Sequence, residues 1–127
     1  MHSRSLVALS VLVGFAAGAT TVHTLHAQSQ PPAFAIIELD VQQSDEFATE
    51  FVPLLAKAVT DQHGKFLAPP GPTTTIEGKP SKQAAVIEFE SVDRAVATFG
   101  SAAYRNARKI GEKYANFQIF AVQGAPQ

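Results

Sequence analysis

Tyr104 and Arg108 stand four residues apart in SAAYRNARKI, a spacing that puts a phenol and a guanidinium on one face of a helix. Together they offer a hydroxyl and a fixed positive charge, and a ligand bearing a carboxylate could use both. Three acids extend the set of candidates. Glu38 lies in FAIIEL and Glu88 in AAVIEF, a near-repeat fifty residues later, while Glu77 directly precedes Gly78. Two carboxylates held close in partial burial raise one pKa and make an acid/base pair. Plainer roles compete with each of these. An i, i+4 pair is also an ordinary feature of a helix surface, and acids at strand ends commonly meet solvent, Lys or Arg.

His63 is the one histidine after residue 27, and it sits beside Gly64 at an expected helix end, where the negative end of the helix dipole accounts for it without catalysis. The chain has no cysteine, which excludes disulfides, thiolate metal sites, a cysteine nucleophile and a lipid-modified cysteine anchor. One histidine without cysteine leaves no converging ligand set, so neither a metal nor a cofactor is expected. The sequence contains no GxSxG, no HExxH and no phosphate-cradling glycine loop, and nucleophilic catalysis therefore has no visible support.

The elements that must position these groups follow from periodicity. Residues 34–40 read as a strand behind Pro31 and Pro32. Ser44 is the expected N-cap of a helix with Asp45 and Glu46 in its first turn, Phe47, Phe51, Leu54 or Leu55 and Ala58 on one face, a kink at Pro53 and a left-handed cap at Gly64. A second strand begins at residues 65–68, is interrupted by PPGP at 69–72 and resumes at 73–77. Gly78, Lys79 and Pro80 turn the chain into a third strand at 83–90. Ser91 and Asp93 open a second helix carrying Val92, Val96 and Phe99, Gly100 and Ser101 break it, and residues 102–114 form a further helical stretch. Alternation at 116–123 predicts a fourth strand before the tail GAPQ.

Each half of the near-repeat, AIIELDVQQSDEFATEF and AVIEFESVDRAVATF, is a strand feeding a helix. That is the build of an α+β, ferredoxin-like βαββαβ domain with a four-stranded, antiparallel-type sheet, its two echoed strands expected side by side and parallel in the middle. Side chains alternate along a strand, so Ala35, Ile37 and Leu39, with Ala85, Ile87 and Phe89, should lie under the helices. Phe34, Ile36, Glu38, Asp40, Ala84, Val86, Glu88 and Glu90 are left on the open face, joined there by Phe120 and Val122. Such an apolar face is rarely left bare, and a second copy meeting it would give a homodimeric α/β barrel. In that arrangement Glu38 and Glu88 would be neighbours.

At 127 residues, 46% hydrophobic and 17% charged, the chain holds one globular domain, expected at residues 33–123 between a polar linker at 28–32 and a tail at 124–127. Residues 1–27 read as a secretory signal: Arg4 precedes LVALSVLVGFAAGA at 6–19, and cleavage is readable after Ala19 or, preferred, after Ala27. The apolar run is shorter than the roughly 20 residues that cross a bilayer, so no permanent membrane span is expected after cleavage. Export, to the periplasm, is the expectation. Removing residues 1–27 leaves nine bases against eleven acids and no basic stripe for nucleic acid.

Over about residues 33–122 the chain resembles the family known as the domain of unknown function numbered 1330, in the dimeric α/β-barrel superfamily. The resemblance rests on FAIIELDV, HGKF where many relatives have HGGKF, IEG at 76–78, AVIEFES, and the run SAAYRNARKIGEKYANFQIFAVQG. VGFAAGATTVHTLHAQSQPP is similar to the exported members. The resemblance implies a ferredoxin-like protomer and a homodimer and implies no established activity. The wider superfamily includes cofactor-free monooxygenases, lactone isomerases and haem-handling enzymes, many with a pocket between sheet and helices, and fold analogy does not choose among them. Relatives commonly carry an Arg and two Gly where this chain has Pro69, Pro70 and Gly71, which removes any anion-binding role for that Arg.

The function expected from the sequence is binding of a small organic molecule, with Glu38, Glu77, Glu88, Tyr104 and Arg108 as pocket candidates. Cofactor-free acid/base catalysis by paired carboxylates, as in an isomerase or monooxygenase, and a structural or stress-related dimer without ligand are the alternatives.

Overall fold

The computed structural model describes residues 30–80 and 82–126. The expected signal at 1–27 lies outside them. Strands β1 (Ala33–Val41), β2 (Lys65–Pro72), β3 (Gln83–Phe89) and β4 (Ala115–Gln123) form one sheet in the order β2-β3-β1-β4. Helix α1 (residues 44–61), α2 (Val92–Phe99) and α3 (Ala102–Gly111) pack against it. The βαββαβ order and the ferredoxin-like fold agree with the sequence reading.

The direction of the central pair does not. β1 and β3 run antiparallel, with Ala35 opposite Ile87, Ile36 opposite Val86 and Ile37 opposite Ala85. Each strand–helix–strand crossover makes its own two strands parallel but leaves a gap between them, and the first strand of the other half fills that gap in reverse. The parallel partners are thus β1 with β2 and β3 with β4, one strand apart.

The face assignment holds. Ala33, Ala35, Ile37, Leu39, Ala85, Ile87 and Phe89 are buried under the helices, against Phe47, Phe51, Leu55, Ala58 and Val59 of α1, Ala95 of α2 and Tyr104 and Ala107 of α3. Burying a side chain such as Ile37, Leu55 or Ile87 contributes about 1.5–3 kcal/mol. A small residue faces a large one at Ala35/Ile87 and again at Ile37/Ala85, which keeps the floor under the helices level.

Helix α1 opens with an α-turn (Ser44–Glu46), widens into a π-helical stretch (Phe47–Phe51) and continues as α-helix (Val52–Asp61). Pro53 has no N–H for the carbonyl four residues back, and the irregularity expected there appears as this widening one turn earlier, where the Val52 N–H bonds the Phe47 carbonyl. Phe47 and Phe51 are both turned inward, with ring centroids 5.1 Å apart, and Phe51 lies 5.0 Å from Phe117. The N-cap is Gln43 rather than Ser44. It is extended, makes no side-chain cap bond, and its N–H, like that of Gln42, reaches the Tyr114 carbonyl. At the other end His63, not Gly64, takes the left-handed conformation, with φ 62°. Gly64 is required for space, because a Cβ there would lie 2.7 Å from both Phe89 and Val59 side chains.

β2 runs through the PPGP segment as an edge strand, with register shifts between Phe66 and Ala68 and between Ala68 and Gly71. Residues 73–77 do not resume it. The partner strand begins at Gln83, opposite Pro72, so beyond that pair there is no ladder to join. At the open ends the Gly124 N–H donates to the Pro32 carbonyl at 2.7 Å, tying tail to linker.

Gly111 ends α3 where a Cβ would sit 2.7 Å from both Phe117 and Phe51 rings. Gly111→Ala should destabilise by about 1–3 kcal/mol through overpacking, despite the better helix propensity of Ala. A lowered urea midpoint with an unchanged slope checks this.

Candidate functional site

The five candidate residues fall into four places. Glu38 and Glu88 share the open face but occupy opposite ends of it. Glu38 is opposite Ala84 and Gln118, and Glu88 is opposite Phe34 and Lys65. Ala84 and Glu88 are four residues apart on one strand, which at roughly 3.4 Å each is about 14 Å. The expected carboxylate pair is therefore absent, because the antiparallel pairing carries the two equivalent positions to opposite ends.

Glu38 lines a cleft of about 400 Å³ with Asp40, Lys79, Lys82 and Gln118, and Lys82 pairs with Asp40 at 3.0 Å. Glu88 lines another, of about 840 Å³, at the far end of the sheet. Glu77 is exposed on the loop between β2 and β3. Among the described residues, no group of three or more His, Cys, Asp or Glu is placed to hold a metal ion.

Tyr104 and Arg108 do come together, on the opposite side of the sheet. Ser101 sets the start of α3: its hydroxyl accepts from the Tyr104 N–H at 3.2 Å and donates to the Thr98 carbonyl at 2.6 Å. This places Tyr104 in the core at 3% exposure, its ring edge-on to Phe99 with centroids 4.9 Å apart. Arg108 is half-exposed, lies over the Phe117 ring at 5.5 Å and donates from Nε to Glu112 at 2.8 Å.

The Tyr104 hydroxyl is buried and, its approach to the Arg108 guanidinium aside, has no hydrogen-bond partner among the described residues. Burial raises its pKa above the usual 10.0, while the neighbouring Arg108 guanidinium pulls the other way and loses. Arg108 itself is held cationic, chiefly by its hydrogen bond to Glu112. The pair thus presents a neutral hydroxyl beside a permanent charge, which suits holding an acceptor atom and does not suit removing a proton.

One polar contact has no signal in the sequence. The Tyr114 hydroxyl donates to the Glu50 carboxylate, across 64 residues of chain. That bond raises the Tyr114 pKa, and it depends on the π-helical stretch of α1 lying against the α3–β4 connection, which periodicity does not disclose.

Both tyrosines of the chain therefore ionise above pH 10. The sign for Tyr104 follows from its raised folded-state pKa: its contribution to stability is complete below pH 10 and is lost as pH rises through the folded value. Tyrosinate absorbance should rise later than for free tyrosine. Tyr104→Phe should leave one transition and a smaller loss of stability at alkaline pH.

Solved structures of several proteins share the fold. A protein of unknown function from Rhodopseudomonas palustris is 12% identical with a TM-score of 0.59, the match covering 86% of this chain and 94% of that one. A cofactor-independent oxygenase from Streptomyces nogalater is 10% identical with a TM-score of 0.57, covering 76% and 96%. A dimeric protein of unknown function and ferredoxin-like fold from Bacteroides fragilis is 13% identical with a TM-score of 0.50, covering 75% and 98%. At these identities the likeness shows the fold alone. No curated protein matches the chain. The family model for Domain of unknown function (DUF1330) matches residues 32–125, and the chain belongs to that family.

Proposed function

We propose that the protein is a homodimeric, small-molecule-binding module in which Tyr104 and Arg108 hold the polar end of an organic ligand between helices and sheet. The observation that carries this is the Tyr104 hydroxyl, buried beside a guanidinium and with no acceptor for its proton among the described residues. A buried hydroxyl left unpaired costs about 1–3 kcal/mol, and phenylalanine would supply the same ring without that cost. A ligand carboxylate or carbonyl oxygen gives the hydroxyl its acceptor and joins Glu112 as a second partner for Arg108.

The dimer rests on the open sheet face. Phe34, Ile36 and Val86 there are only half-covered, and Phe120 and Val122 stand 42% and 51% exposed. Two such faces meeting would remove the apolar patch from water and form a barrel. The dimeric ferredoxin-like relative supports the same assembly. Export belongs to this reading through the apolar run at 6–19. Of the candidates outside the pair, Glu38 and Glu88 become rim groups at opposite ends of the barrel, and Glu77 a loop group near one of them. Catalysis by paired carboxylates loses its geometric basis once they are about 14 Å apart.

Sedimentation velocity tests the assembly: the wild type should run as a dimer and Phe120→Glu as a folded monomer, and a monomeric wild type would remove the shared-face reading. Native mass spectrometry of the protein from its own compartment tests the ligand. A dimer carrying an extra small mass in the wild type, lost in Tyr104→Phe while that variant is as stable or more stable, is the expected result. A variant that gains stability and binds as before would show the hydroxyl to be a packing defect. Empty dimers in both proteins would favour a structural dimer.

A further inference from the structure

A cleft of about 840 Å³ lies away from Tyr104, at the end of the sheet where β2 begins and β3 ends. Its apolar lining includes Ala97 and Pro32, beside the buried Phe89. Around it stand His63, Lys65 and Arg94 together with Glu88, Glu90 and Asp93, charges of both signs brought from the α1–β2 turn, β2, α2, β3 and the β3–α2 connection.

These charges are not joined in salt bridges among the described residues. Lys65 and Glu88 are directly opposite across the β2–β3 ladder, yet neither they nor the other four form a salt bridge with any described residue. Arg94 uses its backbone N–H to meet the Ser91 hydroxyl, and its guanidinium is left for the cleft. His63 is held over the same space by a left-handed backbone whose next residue, Gly64, is wedged against Phe89 and Val59. The acids outnumber Lys65 and Arg94 by one, so a positive group is favoured on their side while a negative group retains partners on the other. The volume is in the range of small-molecule sites.

We infer that this cleft is a second binding site, for a small dipolar molecule with an apolar body, an α-amino acid or its close analogue: the ammonium meets Glu88, Glu90 and Asp93, the carboxylate meets Lys65 and Arg94, and the side chain lies on Pro32 and Ala97. The site uses nothing of the Tyr104–Arg108 pair and stands or falls separately from it.

The probe is leucine, with N-acetyl-leucine and leucinamide as versions lacking one charge each, titrated into the isotopically labelled protein and followed by its backbone amide resonances. Leucine should give saturable shifts at Lys65, Glu88 and Arg94, and removing either charge should weaken binding at least about tenfold. Glu88→Gln and Arg94→Ala should each weaken leucine binding and reduce its discrimination against N-acetyl-leucine and leucinamide, respectively. Absence of saturable shifts with leucine, or binding that survives the loss of either charge, would overturn the assignment.

Discussion

The antiparallel register between β1 and β3 governs the rest of the molecule. It centres a local two-fold relation on Ile36 and Val86, so that the two halves of the chain present the same Ala–x–Ile pattern to the helices from opposite directions. Because side chains alternate, this one register puts seven small and large apolar groups on the dry face and every acid of the two central strands on the other. Shifting it by one residue would turn one strand's apolar set to the open face and bring its acids under the helices. The separation of Glu38 from Glu88 is a by-product of the same pairing.

The two sides of the sheet consequently offer different chemistry. On the helix side polar groups are few and placed by neighbours: Thr98 returns its hydroxyl to the Arg94 carbonyl, Ser101 caps α3, and Tyr104 is carried inward with its hydroxyl. In such surroundings a phenol stays neutral and a guanidinium keeps its charge, which favours holding over proton transfer. On the open side the apolar centre is flanked by charged ends, Asp40 with Lys82 at one and Lys65 with Glu88 at the other. A partner lying on the centre would leave both ends accessible.

Much of this was legible in the sequence, and the failures share a cause. Alternation in FAIIEL and AAVIEF disclosed which residues face the helices, since that depends on the period of a single strand. Ser91 disclosed a helix start because its cap bond reaches only three residues along. Strand direction is a property of two segments and the connection between them, and alternation is the same read either way, so the parallel expectation had nothing local to correct it. The same holds for the Glu50–Tyr114 bond and for the cleft around Lys65 and Arg94, whose members come from separate elements. Tyr104 and Arg108 were recoverable because both lie on one helix, although their burial was not.

The prolines of β2 bear on how copies of this molecule meet. A strand added to a sheet edge needs donors as well as acceptors, and across residues 69–72 only Gly71 retains an N–H. That border of the sheet is half capped by its own chemistry, with a usable length of only four residues at 65–68, whereas the β4 border is nine residues long without a proline. Open-ended stacking of sheets requires two receptive borders on every copy. With one of them blunted, strand-to-strand growth tends to stop at a pair, and the route left for extensive contact is across the faces.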